Sequence, residues 1–182
     1  MKKVAILLAD GFEEVEVITP ADFLRRAGIQ VILTSIGGLN VIGGHDIEIT
    51  ADITLDALDD DLDGIILPGG MPGASNLAQS KALIKLVRKI DNNNKLVAAI
   101  CAAPAVVLGK AGLLEGRKFT CYPGFENAIT GADFSTDRVV QDGNMITSRG
   151  PGTAAEFSIA LIEYLLDKET ATAVKEATLQ NF

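Results

Sequence analysis

One cysteine stands where a nucleophile could work. Cys101 interrupts the run Leu96-Val-Ala-Ala-Ile-Cys101-Ala-Ala-Pro104. Leu96 to Ile100 is continuously apolar, as in a strand buried on both faces. Pro104 then suits the first turn of a helix, where a missing N–H costs little. Cys101 therefore falls in a sharp strand-to-helix turn between small residues, the geometry of a nucleophile elbow. Such a turn pushes the side chain out at the carboxyl edge of a sheet and surrounds it with unpaired backbone N–H groups. Those groups and the helix dipole favour an anion, so the thiol is expected to have a lowered pKa. The same context also suits a buried structural cysteine. The turn alone does not decide between them.

The acids closest in this scheme are Glu13, Glu14 and Glu16, at the start of the first helix. Glu13 and Glu14 fit ordinary stabilisation by the helix dipole. Glu16 lies about one position off the apolar stripe of Val15, Ile18 and Thr19 and so points inward. A sheltered carboxyl beside a thiolate would have a raised pKa and, once protonated, would donate to sulfur.

The remaining chemistry is sparse. The chain has one histidine, His45, beside Asp46, and two cysteines. A Cys–His dyad would require His45 to reach Cys101, and a surface contact with Asp46 is the plainer role. Ala102 follows the cysteine, so no adjacent base exists for triad peptidase chemistry. No metal-ligand spacing is present, and no metal or other cofactor is expected. Pro68-Gly69-Gly70-Met71-Pro72-Gly73 is a shaped loop with exposed N–H groups, but it lacks the Gly-Lys-Ser/Thr of a P-loop. Cys121, ending a short strand, reads as a structural thiol.

The elements that would position these residues alternate. Strands are expected at Lys3 to Leu8, Ile29 to Ile36, Gly64 to Leu67, Leu96 to Ile100 and Lys118 to Cys121. A hairpin flap is expected between Leu39 and Ala51. A second hairpin joins Arg138 to Gln141 and Met145 to Ser148 through Asp142-Gly143. Helices are expected from Glu13 to Ala27, kinked at Pro20, with Val15, Ile18, Phe23 and Leu24 as its apolar face. Others are expected from Ser80 to Asn92, after Pro104, from Pro123 to Thr130, from Ala154 to Leu166 and from Lys168 to Leu179. Asp59 to Asp63 reads as an acidic loop. The pattern predicts an α/β sandwich around a mainly parallel sheet, with sites beyond the carboxyl ends of its strands. Three loops meet there: Asp10 to Glu16, Pro68 to Gly73 and the Cys101 turn.

Composition bounds the rest. The chain has 182 residues, is 48% hydrophobic and carries a formal charge of −8. One compact domain over residues 1–182 is expected. The acidity argues against nucleic acid and anionic membranes as partners, and no apolar run approaches the roughly 20 residues of a membrane span. The basic, apolar start runs directly into Asp10-Gly11-Phe12-Glu13-Glu14 and reads as a first strand rather than a signal peptide. Two reduced thiols fit a cytoplasmic protein.

Gly11-Phe-Glu-Glu-Val-Glu16, Leu67-Pro-Gly-Gly70, Ala98-Ala-Ile-Cys-Ala-Ala-Pro104 and Ser148-Arg-Gly-Pro-Gly-Thr153 together resemble, in order and spacing, the ThiJ/PfpI superfamily. The branch that they are most similar to is that of the Parkinsonism-associated DJ-one proteins and their YajL-type relatives. The resemblance spans essentially the whole chain. It implies a flavodoxin-like three-layer sandwich of the class I glutamine amidotransferase type, and a homodimer. It implies that Cys101 is the reactive elbow cysteine and Glu16 the buried acid bonded to it. The backbone pocket would be formed by Gly69, Gly70 and Ala102, and Glu13, Tyr122, His45 and Arg149 would play supporting parts. It implies stress-related roles: cofactor-free glyoxalase III or deglycase chemistry on methylglyoxal and related dicarbonyls, or redox sensing and chaperone activity without turnover. The chain departs from close relatives at two positions. Tyr122 stands before Pro123 where a histidine is usual, and a phenol of pKa about 10 suits proton shuttling less. His45 stands in the flap where an arginine is usual, and would meet Glu13 across the dimer interface.

Overall fold

The computed structural model describes residues 1–59 and 61–182. Of the expected acidic loop, Asp60 lies outside the described residues. In chain order the strands are β1 (Lys3–Leu8), β2 (Gln30–Ser35), β3 (Asn40–Ile42), β4 (Glu48–Thr50), β5 (Ile53–Thr54), β6 (Gly64–Leu67), β7 (Leu96–Ile100), β8 (Lys118–Phe119), β9 (Asp133–Phe134), β10 (Val139–Asp142) and β11 (Met145–Ser148). The α-helices are α1 (Glu14–Arg26), α2 (Gly73–Gln79), α3 (Lys81–Asn92), α4 (Gly109–Ala111), α5 (Ala154–Leu165) and α6 (Lys168–Ala177).

A seven-stranded sheet in the order β10-β11-β7-β6-β1-β2-β5 forms the core. All its pairs are parallel except β10 with β11. The apolar runs of β1, β6 and β7 are fully buried because helices cover both faces. Helices α1, α5 and α6 pack together in one layer, and α2, α3 and α4 in the other. This is an α/β architecture of the flavodoxin-like kind, as expected.

The register decides where the site falls. Ile6 pairs with Ile66, Ile66 with Ala98, and Ile100 with Ser148. The carboxyl ends of β1, β6, β7 and β11 are therefore level, and the loops that follow them share one edge. Strand order reverses between β1 and β6, the crevice where open α/β sheets hold their sites.

Several expectations need correction. Helix α1 runs unbroken through Pro20. Its buried face is not the stripe of Val15 and Ile18, which are 47% and 49% exposed, but Glu16, Val17, Pro20, Ala21, Phe23 and Leu24. The segment from Pro123 to Thr130 holds only a 3-10 turn, Glu126–Ala128, and the strand at Lys118 ends at Phe119. After the elbow the chain makes a π-helical turn, Pro104–Leu108, before α4. Helix α2 was not expected, since seven residues without an apolar stripe give little periodic signal. The flap hairpin of β3 with β4 and the β10–β11 hairpin are present. Ser80 does not begin α3 but caps it, accepting from the Leu83 N–H.

Candidate active site

Cys101 is the first residue past β7 and has a φ of +64°, a conformation rare for a residue with a Cβ. Its backbone is held on both sides. The Cys101 N–H donates to the Ser148 carbonyl at 2.9 Å, and its carbonyl accepts from the Tyr122 N–H at 2.8 Å. The loop after β11 is fixed in turn by Thr153, whose hydroxyl lies 2.6 Å from that of Ser148 and accepts from the Gly150 N–H at 3.1 Å. Sequence reading missed this clamp. Its signal was the run Ser148-Arg-Gly-Pro-Gly-Thr153, which places two hydroxyls around a tight turn.

Glu16 reaches the elbow from α1 and is wholly buried. One of its oxygens, Oε2, accepts from the Gly69 N–H at 2.8 Å. The other, Oε1, is buried without a hydrogen-bond partner, and the Cys101 thiol lies close enough to this carboxyl to shift its acidity. Burial raises the Glu16 pKa to about 7; the Gly69 N–H and the thiol pull it down, and the Glu13 charge adds to the rise.

The thiol does not have the lowered pKa expected of it. Burial, and then the charge of an ionised Glu16, push Cys101 up to about 12, against the N–H groups of Gly70 and Ala102 directed at the sulfur. A strand-to-helix turn implies the N–H groups but not the shared burial that outweighs them. Carboxyl and thiol form one coupled acid pair, and the loss of a single proton can leave the charge on either atom. The Gly70 and Ala102 N–H groups favour sulfur.

The glycine pair permits this contact. A Cβ on Gly69 would stand 2.5 Å from the Cys101 Cβ and 2.8 Å from Glu16 Oε2. One on Gly70, whose φ is +84°, would stand 2.4 Å from the Glu13 nitrogen and 2.5 Å from the Gly11 carbonyl oxygen. Gly69 and Gly70 divide the work, since the Gly69 N–H goes to Glu16 and only that of Gly70 to sulfur.

The supporting residues are placed unevenly. The Glu13 N–H donates to the Gly69 carbonyl at 3.0 Å, tying the loop after β6 to the start of α1. His45 does not have Glu13 as its main partner. Its Nδ1 lies 2.9 Å from Glu14 Oε2 and 3.8 Å from Glu13 Oε2, and its N–H donates to Glu14 Oε1 at 2.7 Å, all within one chain. The hairpin folds the flap back over the helix that follows β1, a placement that spacing along the chain does not show. Burial raises the Glu14 pKa, but the His45 hydrogen bonds outweigh it and leave the carboxyl lowered; the Glu14 contact and the Glu13 charge raise His45. Among the described residues these three form the one cluster whose ligand atoms, within 4.8 Å of one another, could hold a metal ion.

Tyr122 is joined to the elbow by its backbone. Its ring is 46% exposed and meets Phe125 edge-on at 6.3 Å. The Arg149 guanidinium lies 6.0 Å over the Phe134 ring with Nη1 buried and unpartnered. Cys121 is fully buried, as a structural thiol would be. Burial and the Glu126 charge push it up to about 12, and the Arg149 charge opposes them.

A buried acid paired with an elbow cysteine at the switch point of a mostly parallel sheet defines an α/β sandwich with a thiol site. The comparisons agree. The chain belongs to the DJ-1/PfpI family, whose model matches residues 2–164. It is 46% identical over 176 residues to "Protein DJ-1 homolog B" of Arabidopsis thaliana, covering 95% of this chain but only 40% of that protein. The chain thus spans less than half the length of that relative. It is 35% identical over 153 residues to a protein of Pyrococcus abyssi named a deglycase, covering 82% of this chain and 91% of that one. The solved structure of Toxoplasma gondii DJ-1 in oxidised form superposes with a TM-score of 0.97 at 36% identity, covering all of both chains. Among the described residues no helix is long and apolar enough to cross a membrane.

Proposed function

We propose that this chain is a cysteine-dependent glyoxalase III or deglycase acting on methylglyoxal and related small dicarbonyls without a cofactor. The observation that carries the proposal is the buried contact between Glu16 and Cys101, with the Gly70 and Ala102 N–H groups at sulfur. The name of the Pyrococcus relative supports the substrate class.

The pair begins with one proton removed and the charge on sulfur. The thiolate adds to the aldehyde carbon of methylglyoxal, forming the C–S bond, while the carbonyl electron pair moves to oxygen. The backbone N–H groups hold that oxyanion, and Glu16 protonates it to a hemithioacetal. Glu16, now a carboxylate, takes the proton from the hemithioacetal carbon to give an enediolate. Returning that proton to the adjacent carbon leaves a thioester. Water hydrolyses it, releasing lactate and the thiol, so the net change is addition of one water. Deglycation would share the first step, attack of the thiolate on a carbonyl carbon.

The working unit in this reading is a homodimer, supported by exposed apolar side chains on α1 and the flap: Val15, Ile18, Ile42 and Ile47 lie on two elements joined by the Glu14–His45 contact. A second reading is redox sensing without turnover. Successive equivalents of peroxide would oxidise Cys101 to a sulfinate, each reduced to water, and the same N–H groups would hold the anion. The oxidised Toxoplasma relative supports it.

Lactate formation from methylglyoxal tests the two readings. The Cys121→Ser variant should turn over and its Cys101→Ala derivative should not, with the same circular dichroism. Lactate formation that persisted without Cys101 would overturn the enzymatic reading. Oxidation of Cys101 without lactate formation would leave redox sensing in its place.

A further inference from the structure

One broad cleft of the molecule does not open on Cys101. It lies between α2, α3 and the helical turn after the elbow, and encloses about 1180 Å³. Small-ligand sites run to roughly 300–1,000 Å³. Its floor is apolar, built from Ala78, Ile84 and Val106. Its rim is cationic: Lys81, Lys85 and Arg88 from α3, with Lys110 facing them from α4.

The charge of this cleft is out of keeping with the chain. The protein carries a net charge of −8, yet among the described residues no aspartate or glutamate lines the cleft. The one acid of α3, Asp91, faces elsewhere, accepting from Arg117 and Asn144 at 3.0 Å. Lys81 and Lys85 are four residues apart on α3, a spacing at which like charges destabilise a helix. Arg88 is held in place, its Nε donating to the Ala111 carbonyl at 2.8 Å, which aims the guanidinium across the gap between α3 and α4. A solvated helix face would carry both signs. Cations converging on an apolar floor fit a compact anion with a flat apolar part. The negative field of the remaining surface disfavours a long polyanion such as RNA.

We propose that this cleft binds a nucleoside phosphate or an anion of that size and charge, its phosphates on the Lys81, Lys85, Arg88 and Lys110 rim and its base on the Ala78–Ile84–Val106 floor. This site is separate from the Cys101–Glu16 chemistry and does not rest on it.

Calorimetric titration with ATP, inorganic triphosphate and adenosine tests it, using the whole chain and a Lys85→Ala/Lys110→Ala variant. Both lysines are exposed and make no ion pair among the described residues, so the variant should match the wild-type fold by circular dichroism. ATP should bind saturably, triphosphate more weakly, and adenosine most weakly. The variant should bind ATP about tenfold less tightly, the sum of two partly exposed charge contacts, and added salt should weaken the wild-type complex. No saturable ATP binding, or equal affinity in the variant, would overturn the proposal. So would a poly-glutamate peptide that bound as tightly as ATP, since the cleft would then be an unselective cationic surface.

Discussion

The Glu16 carboxyl and the Cys101 thiol are buried against each other, and each sets the acidity of its partner. Glu16 carries the consequence for stability that falls below neutral pH. In the unfolded chain it ionises near 4.5, whereas in the folded chain it does so only at about 7. A raised carboxyl makes ionisation unfavourable in the fold, so the stability is full below pH 4.5. It falls as the pH rises to 7 and is flat above. That rise corresponds to about 3 kcal/mol. Glu16→Gln keeps an oxygen for the Gly69 N–H and cannot ionise. Urea unfolding at pH 5 and pH 8 should show the decline in the wild type and little of it in the variant. An equal decline in both would assign it to another group.

The same pair governs reactivity. In the Cys121→Ser background, iodoacetamide should alkylate Cys101 with an inflection near pH 7, where the pair loses its first proton to give some thiolate. Glu16→Leu leaves the thiol buried without a proton donor, and its inflection should move well above the ordinary thiol value of about 8.5. A wild-type rate that stays flat until strongly alkaline pH would mean that the first charge rests on the carboxyl alone.

Gly70 tests the backbone. A methyl group there would overlap the Glu13 nitrogen and the Gly11 carbonyl, both main-chain atoms that cannot swing aside, at a φ of +84°. Gly70→Ala should cost at least about 2 kcal/mol of stability, as strain at a left-handed position does. It should also slow Cys101 alkylation, because the N–H at sulfur moves. Thermal unfolding within a degree of wild type would remove the steric argument.

How legible was this in the sequence? The sheet was, because Val4 to Leu8 and Leu96 to Ile100 are apolar runs that only a doubly covered strand accommodates. The elbow was too, since Cys101 is fixed between such a run and Pro104. The face of α1 was misread because Val15 and Ile18 are apolar yet outward, while Glu16 and Pro20 are inward. Hydrophobic periodicity cannot separate a core face from an exposed apolar one. Direction of the thiol shift was misjudged for a related reason. N–H groups can be inferred from a turn, but desolvation depends on what packs over it. The partner of His45 was a matter of how the flap folds, which no local pattern encodes.

The Glu14–His45 contact should act as a pH-dependent latch on the flap. His45 is raised, so its charged contact is complete below its ordinary pKa and is lost as the pH rises through the raised value. Glu14 is lowered, so the contact is also lost as the pH falls through that value. Proton NMR should place the His45 titration above about 6.5, the value for a free histidine, and Glu14→Gln should return it towards that value. An unchanged midpoint in the variant would separate the two residues in solution.

The exposed face beside that latch should be where two copies meet. Ile42 and Ile47 on the flap are 49% and 55% exposed, and Val15 and Ile18 on α1 are nearly as open. Glu14 joins the two elements that carry these side chains through His45. Apolar surface of this kind is unusual for a monomer unless it serves an interface. Val15→Lys/Ile47→Lys places like charges on both sides of a two-fold contact, where the same patch meets itself. Sedimentation velocity should show a dimer for the wild type and a monomer for the variant. Thermal unfolding of the variant's monomer should remain cooperative, because neither side chain belongs to the core. A wild-type monomer at micromolar concentration would contradict the dimer, and a dimeric variant would move the interface to another face.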